Sequence, residues 1–207
     1  AVSKAYEGSL EKNQNQYEIE HRIIRKDNGE IRYVHEKCIH YKDDSGKIFR
    51  SVGMVQDITD RKRNESEREI TLRLLKHLNT SEGLHDLLSG VVQTIKDWSG
   101  FEAIGIRLNE GEDYPYFESI GFPADFVEKE NSLCQVDENG AYVRDSKGNP
   151  VLECMCGNVL KGRYDSSLPF FTENGSFWTN STSELLASTS EEDRKARTRN
   201  RCNGEGY

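Results

Sequence analysis

Gly53-Met54-Val55-Gln56-Asp57-Ile58-Thr59-Asp60-Arg61-Lys62 runs from an apolar strand through a short polar stretch into a charged helix. Residues 48–55, just before the polar stretch, suit a strand of a sheet packed on a core. Asp57, Thr59 and Asp60 can each accept hydrogen bonds from the N–H groups left open where the next helix starts. A junction of this kind lets the outgoing helix feel movement in the sheet. Asp57, Ile58, Thr59 and Asp60 are therefore the candidate relay residues.

Upstream, residues 17–26 alternate in polarity, Asp27-Asn28-Gly29-Glu30 makes a turn, and residues 31–41 alternate again. A second turn, Asp43-Asp44-Ser45-Gly46, leads into the strand that reaches the junction, so three antiparallel strands are expected. The segment Gly53…Asp57-Ile58-Thr59-Asp60-Arg61-Lys62 closing such a run resembles the C-terminal half of a PAS sensor domain, the PAC motif. That resemblance implies that two short strands and several helices, which build much of the ligand pocket in that family, are absent or reduced to residues 1–16.

Residues 61–79 are helix formers with Ile70, Leu74, Leu75 and Leu78 in a narrow stripe, which fits either a dimer seam or burial against a following domain. Asn79-Thr80-Ser81 is read as a break and a new N-cap. Beyond it Leu84, Leu87, Leu88, Val91, Val92, Ile95 and Trp98 trace one wide face that must be buried. Strands over 101–108 and 116–122 follow, separated by the turn 109–113.

This order resembles the opening of a GAF domain. The likeness continues through Glu153-Cys154-Met155-Cys156-Gly157, Gly175-Ser176-Phe177-Trp178 and Arg201-Cys202-Asn203-Gly204-Glu205-Gly206-Tyr207, as in GAF domains of bacterial and archaeal sensor histidine kinases. The expected architecture is α+β: a partial PAS domain over 1–60, a linker helix over 61–80 and a GAF domain over 81–207 truncated at its last strands, both sensory domains with antiparallel sheets. The resemblance implies a sensing and relay fragment of a two-component sensor histidine kinase, itself without catalysis. It further implies a homodimer through the linker helix, a downstream kinase or other output domain, and a response regulator as partner. A diguanylate cyclase or transcriptional activator carrying the same regulatory module is the alternative, and a GAF-fold thiol redox enzyme is another.

The chain has 207 residues, and two small domains fit that length. It lacks an initial Met and stops at Gly206-Tyr207 without a terminating element, which reads as an excerpt. Residues 1–69 balance 14 basic against 14 acidic side chains, so the net charge of −8 lies wholly in the remainder. An acidic surface argues against nucleic acid. No apolar run reaches the length of a membrane span, and a cytoplasmic location is expected. Between Arg194 and Arg201 five cations fall within eight residues. They are read as a solvated loop balancing Glu191, Glu192 and Asp193 rather than an anion site.

Cys134, Cys154, Cys156 and Cys202 are the candidate redox, metal or heme residues, with Cys38 isolated on a strand. In a strand the side chains of Cys154 and Cys156 would share one face, and a turn at Gly157 would let both reach one ion. The C-x-C spacing with two distant single cysteines is a poor match to zinc knuckles. Ordinary packing thiols, reversible thiol oxidation, and, by resemblance, heme or an iron–sulfur cluster all stay open. None of the five histidines has metal-site company; His77 lacks the neighbouring acid and following Pro of a phospho-acceptor and is read as a surface residue. Phosphate loops and hydrolase signatures are absent. Phe170, Phe171, Phe177 and Trp178 are read as core or as cover for a pocket.

Overall fold

A computed structural model describes residues 1–194, 198, 199, 201–204 and 206. It is a mixed α+β structure with two antiparallel sheets. The chain divides into two compact units, Ala1–Lys76 and His77–Tyr207.

In the first unit, helix α1 (Val2–Glu11) precedes strands β1 (Gln16–Ile24), β2 (Ile31–Lys42) and β3 (Ile48–Asp57), which pair in the order β1-β2-β3. The register sets Tyr17 opposite Cys38 and Cys38 opposite Gly53, with His40 opposite Ser51. Paired residues share a face, and α1 lies on that one. There Ser9 Oγ and Ser51 Oγ lie 2.8 and 2.7 Å from the two ring nitrogens of buried His40, and Tyr6 meets His40 edge-on.

Helix α1 falls in the stretch that sequence reading treated as a remnant. Its first ten residues mix Gly8, Ser3 and Ser9 among few apolar side chains, so no period stands out. Strand β3 departs from the expectation of a strand covered by a core: Phe49 is 67% and Val55 63% exposed, since among the described residues α1 covers only part of their face.

Helix α2 (Thr59–Thr80) begins two residues after β3 ends, and the division between the units falls within it. Leu72, Leu75 and Leu78 are exposed, whereas Ile70 and Leu74 are half-buried.

In the second unit, helix α3 (Leu84–Ser99) packs on the hairpin of β4 (Ile104–Arg107) and β5 (Tyr116–Ile120). Gly83, not the expected 79–81 segment, stands at the N-cap of α3, and Gly100 closes the helix in the left-handed region at φ 72°. Val92 is buried as expected, but Leu84 and Trp98, at the two ends of the apolar face, are each 53% exposed. Two short strands are too small to cover four turns of helix. His77, read as a surface residue, is half-buried. Its ring packs where a side chain on Gly90 would sit, and its Nε2 lies 3.0 Å from Thr94 Oγ1.

Helix α4 (Ala124–Glu130) leads into a small meander that sequence reading missed. Its backbone bonds close a ring: Gln135 N–H donates to Val151 O, Val151 N–H to Val143 O, and Val143 N–H to Gln135 O. Gln135, Val143 and Val151 stand eight residues apart. In the two loops between them Asp137 and Asp145 each accept two backbone N–H bonds on Oδ1. Helices α5 (Cys154–Leu160), α6 (Thr182–Ser188), α7 (Glu191–Arg194) and α8 (Arg201–Gly204) complete the unit. Met155, Phe170 and Phe171 form one of its cores, with Leu168, Phe177 and Leu185 packed around them.

Candidate functional site

The relay residues occupy a closed junction. Asp57 is the last residue of β3, and its Oδ1 accepts from Thr59 N–H at 2.9 Å and from the Thr59 hydroxyl at 2.6 Å. The same hydroxyl oxygen accepts Tyr33 N–H of β2 at 2.9 Å, and Ile58 N–H donates to Tyr33 O at 2.9 Å. Ile58 and Thr59 are buried. The helix is also tied to β1: Arg61 and Lys62 reach the two carboxylate oxygens of Glu20 at 2.5 and 2.6 Å. Its first turn is thereby bound to β3 through the chain, to β2 through Tyr33 and to β1 through Glu20.

Asp60 takes no part in the cap. Its side chain is 90% exposed and lies 4.0 Å from Arg63. Cap geometry explains the difference: Asp57 precedes the helix and can fold back over its open N–H groups, whereas Asp60 is already the second helical residue. The Thr59 bonds and Arg32 at 3.4 Å hold the Asp57 carboxyl below the usual carboxylate range. A hollow of about 380 Å³ adjoins the junction, lined by Glu18, Glu20, His35, Gln56, Asp60 and Arg61 among others. Tyr33 and Glu20 had no local signal in the sequence, because their roles depend on partners 25 to 42 positions away, and the motif that holds Arg61 and Lys62 does not disclose Glu20 as their partner.

The four candidate cysteines separate three from one. Cys154, Cys156 and Cys202 line a cavity of about 130 Å³ with Glu130, Met155 and Phe177. Cys134 lies apart in a core with Leu133 and Leu152. Cys154 and Cys156 stand on helix α5 and not on a strand, and side chains two apart on a helix point to different sides. Gly157 lies inside that helix and not in a turn. A Cβ there would meet Leu152 Cβ at 2.8 Å, so the glycine admits close packing of α5 on Leu152.

Among the described residues no three His, Cys, Asp or Glu side chains converge on a point that could hold a metal ion. The thiols in this arrangement do not fit a tetrahedral thiolate centre. Cys154 sits at φ 60° and its Sγ accepts Arg199 N–H at 3.3 Å.

Burial pushes the Cys134 and Cys154 thiols up to about 11, whereas Cys156 and Cys202 are exposed. A thiol raised this way is stable in its neutral form. It favours folding at neutral pH, and that contribution fades as pH climbs from about 8.5, the unfolded value, toward the folded one. Iodoacetamide at pH 7.5 is expected to modify Cys154 roughly 100-fold more slowly than an unfolded peptide cysteine, with a rate that climbs as pH rises toward 11. Mass spectrometry of the digested protein measures this, and a peptide-like rate at neutral pH would refute it.

Around these thiols lies a buried ionic network. Arg199 donates to Glu153 Oε2 at 2.7 Å, Ser132 O at 2.6 Å and Cys134 O at 3.1 Å, and lies 3.9 Å from Glu130. Arg201 reaches Glu130 at 3.3 Å. Of the described cations in the basic run, Arg199 and Arg201 pair with carboxylates about 50 to 70 positions away, and Arg194 is buried, donating to Thr189 beside Asp193. Lys195, Arg197 and the Asn200, Glu205 and Tyr207 of the terminal motif lie outside the described residues.

No helix among the described residues is long and apolar enough to cross a membrane. No curated protein matches the chain. Among solved structures it is similar to a sensory box histidine kinase/response regulator from Burkholderia thailandensis E264, at 29% identity over 36% of this chain and 56% of that one, with a TM-score of 0.30. The chain therefore corresponds to little more than half of that protein. Residues 1–55, which hold α1, β1, β2 and most of β3, match the family model described as the PAS fold.

Proposed function

We propose that the chain is a signal-sensing and relay segment of a multidomain signal-transduction protein, a sensor histidine kinase in the first instance. The observation that carries this reading is the fastening of the first turn of α2 to all three strands that precede it. A change in sheet packing then reaches the helix through Asp57, Thr59 and Glu20, and tilts or rotates it between two states. The PAS-fold match over residues 1–55 supports a sensory first unit. A GAF-like second unit is proposed from the sequence resemblance alone, since the family match ends at residue 55.

Exposed Leu72, Leu75 and Leu78 suit a seam with a second copy of the chain. A kinase domain and a response regulator then follow as partners in the full protein, and the segment itself catalyses nothing. The thiol redox enzyme is the weaker reading, because Cys134 lies apart in a core and the Cys154 and Cys156 side chains point to different sides of α5. A diguanylate cyclase or transcriptional activator would use the same junction, and the output assay separates these.

Thr59→Val keeps the side-chain shape but leaves Tyr33 N–H and Asp57 without their shared hydroxyl, a loss of about 1–3 kcal/mol. That is enough to shift a two-state equilibrium by roughly 5- to 150-fold. In the full-length protein, basal autophosphorylation is expected to move at least about fivefold with Thr59→Val and to stay level with Asp60→Asn. Unchanged output and unchanged signal response in Thr59→Val would remove the relay.

A further inference from the structure

An open cavity of about 610 Å³ lies in the second unit, between the segment that leads into α6 and α6 itself. Its size suits a small organic molecule. Leu168, Phe170 and Leu185 give it apolar walls, and Trp178 lines it with half its surface exposed. Trp178 is fixed through its backbone, which donates to Phe170 O at 3.0 Å. Its indole has no ring contact or hydrogen bond among the described residues.

Among the described residues the charged ones lining the cavity are Glu184 and Asp193, both acidic. The Glu184 carboxylate has no ion pair or hydrogen bond among the described residues, and its main chain instead takes the Ser181 cap. Asp193 accepts Ser190 N–H and the Ser190 hydroxyl on one oxygen, Oδ2, which holds its carboxyl below the usual range and its charge in place.

We propose that this cavity binds a small organic cation, its charged head set against the Trp178 indole and the Glu184 and Asp193 carboxylates and its apolar part against Phe170 and Leu185. An aromatic face attracts a cation through its quadrupole, and two carboxylates at the same cavity, Glu184 without an ion pair among the described residues, disfavour anions and favour positive charge. The combination selects against a neutral molecule of the same shape. The inference is independent of the relay: its failure leaves the junction at residue 57 untouched, and failure of the relay leaves the cavity.

Choline and its neutral carbon analogue 3,3-dimethyl-1-butanol serve as probes, titrated calorimetrically into the purified chain. Choline is expected to bind at least about tenfold more tightly than the analogue. Trp178→Ala should abolish choline binding, and Glu184→Gln should weaken it by a similar factor while the far-ultraviolet circular dichroism stays as in the parent. Both side chains are exposed, so neither change empties a core. Equal affinity for the two probes, choline binding that survives Trp178→Ala, or no saturable choline binding at all would each overturn the proposal.

Discussion

Gly121→Ala is expected to lower the melting temperature of the second unit by roughly 10 °C or more, the consequence of a loss of at least about 3 kcal/mol. Gly121 directly follows β5 and has φ +87°, a backbone region that costs an L residue about 1–2 kcal/mol. A Cβ there would stand 1.9 Å from Glu102 O and 2.9 Å from the Ala103 Cα. Both are backbone atoms in the segment that enters β4, so no side chain can rotate away, and relief requires the hairpin to separate from that segment.

Gly140→Ala supplies the control, since Gly140 has φ +80° with nothing within 4 Å of the added carbon. It should cost only the conformational part, about 1 kcal/mol. Thermal unfolding followed by circular dichroism compares the two. Equal losses would mean that the close approach of Gly121 to Glu102 is not a feature of the folded protein.

The contrast between these two glycines also shows what a sequence can disclose. Neither glycine carries a local mark of its cost, and only the path of a distant segment distinguishes them. The first unit was legible because its determinants are local. Alternation over 17–26 and 31–41 with turns at Asp27-Asn28-Gly29 and Asp43-Asp44-Ser45-Gly46 fixes the hairpins, and the polar run at 57–60 marks the helix start to within two residues of Thr59.

Of the relay set, Asp57, Ile58 and Thr59 fall into the junction, and Asp60 does not. An acceptor before the helix and one inside its first turn look equivalent in a string of letters. The second unit is less legible beyond β5. Cys154 and Cys156 would share a face on a strand and diverge on a helix, and the choice between the two is made by the packing of Gly157 on Leu152. The eight-residue spacing of Gln135, Val143 and Val151 was present in the sequence. It carries no strand signal because the strands it builds are single bridges, shorter than any alternation that could be counted.

The same long-range logic makes Arg199 the position where the second unit is most vulnerable. Arg199→Met is expected to destabilise that unit by about 3–5 kcal/mol, because removing one partner of a buried ion pair takes away the charge set against the other. Glu153, only 6% exposed, loses its ion pair with Arg199, while Glu130, 4% exposed, keeps Arg201. Ser132 O and Cys134 O lose donors as well. Arg199→Lys keeps the charge but has no planar fork to serve Glu153 and two carbonyls together, so an intermediate loss is expected.

A second substitution separates electrostatics from lost packing. Glu153→Gln added to Arg199→Met should recover part of the loss in urea unfolding at pH 7. A loss indifferent to Glu153→Gln would assign Arg199 a purely steric role. The bond from Arg199 N–H to Cys154 Sγ is made by the backbone and survives both substitutions, so a change in Cys154 alkylation in either variant would report loosening of α5 rather than loss of that donor.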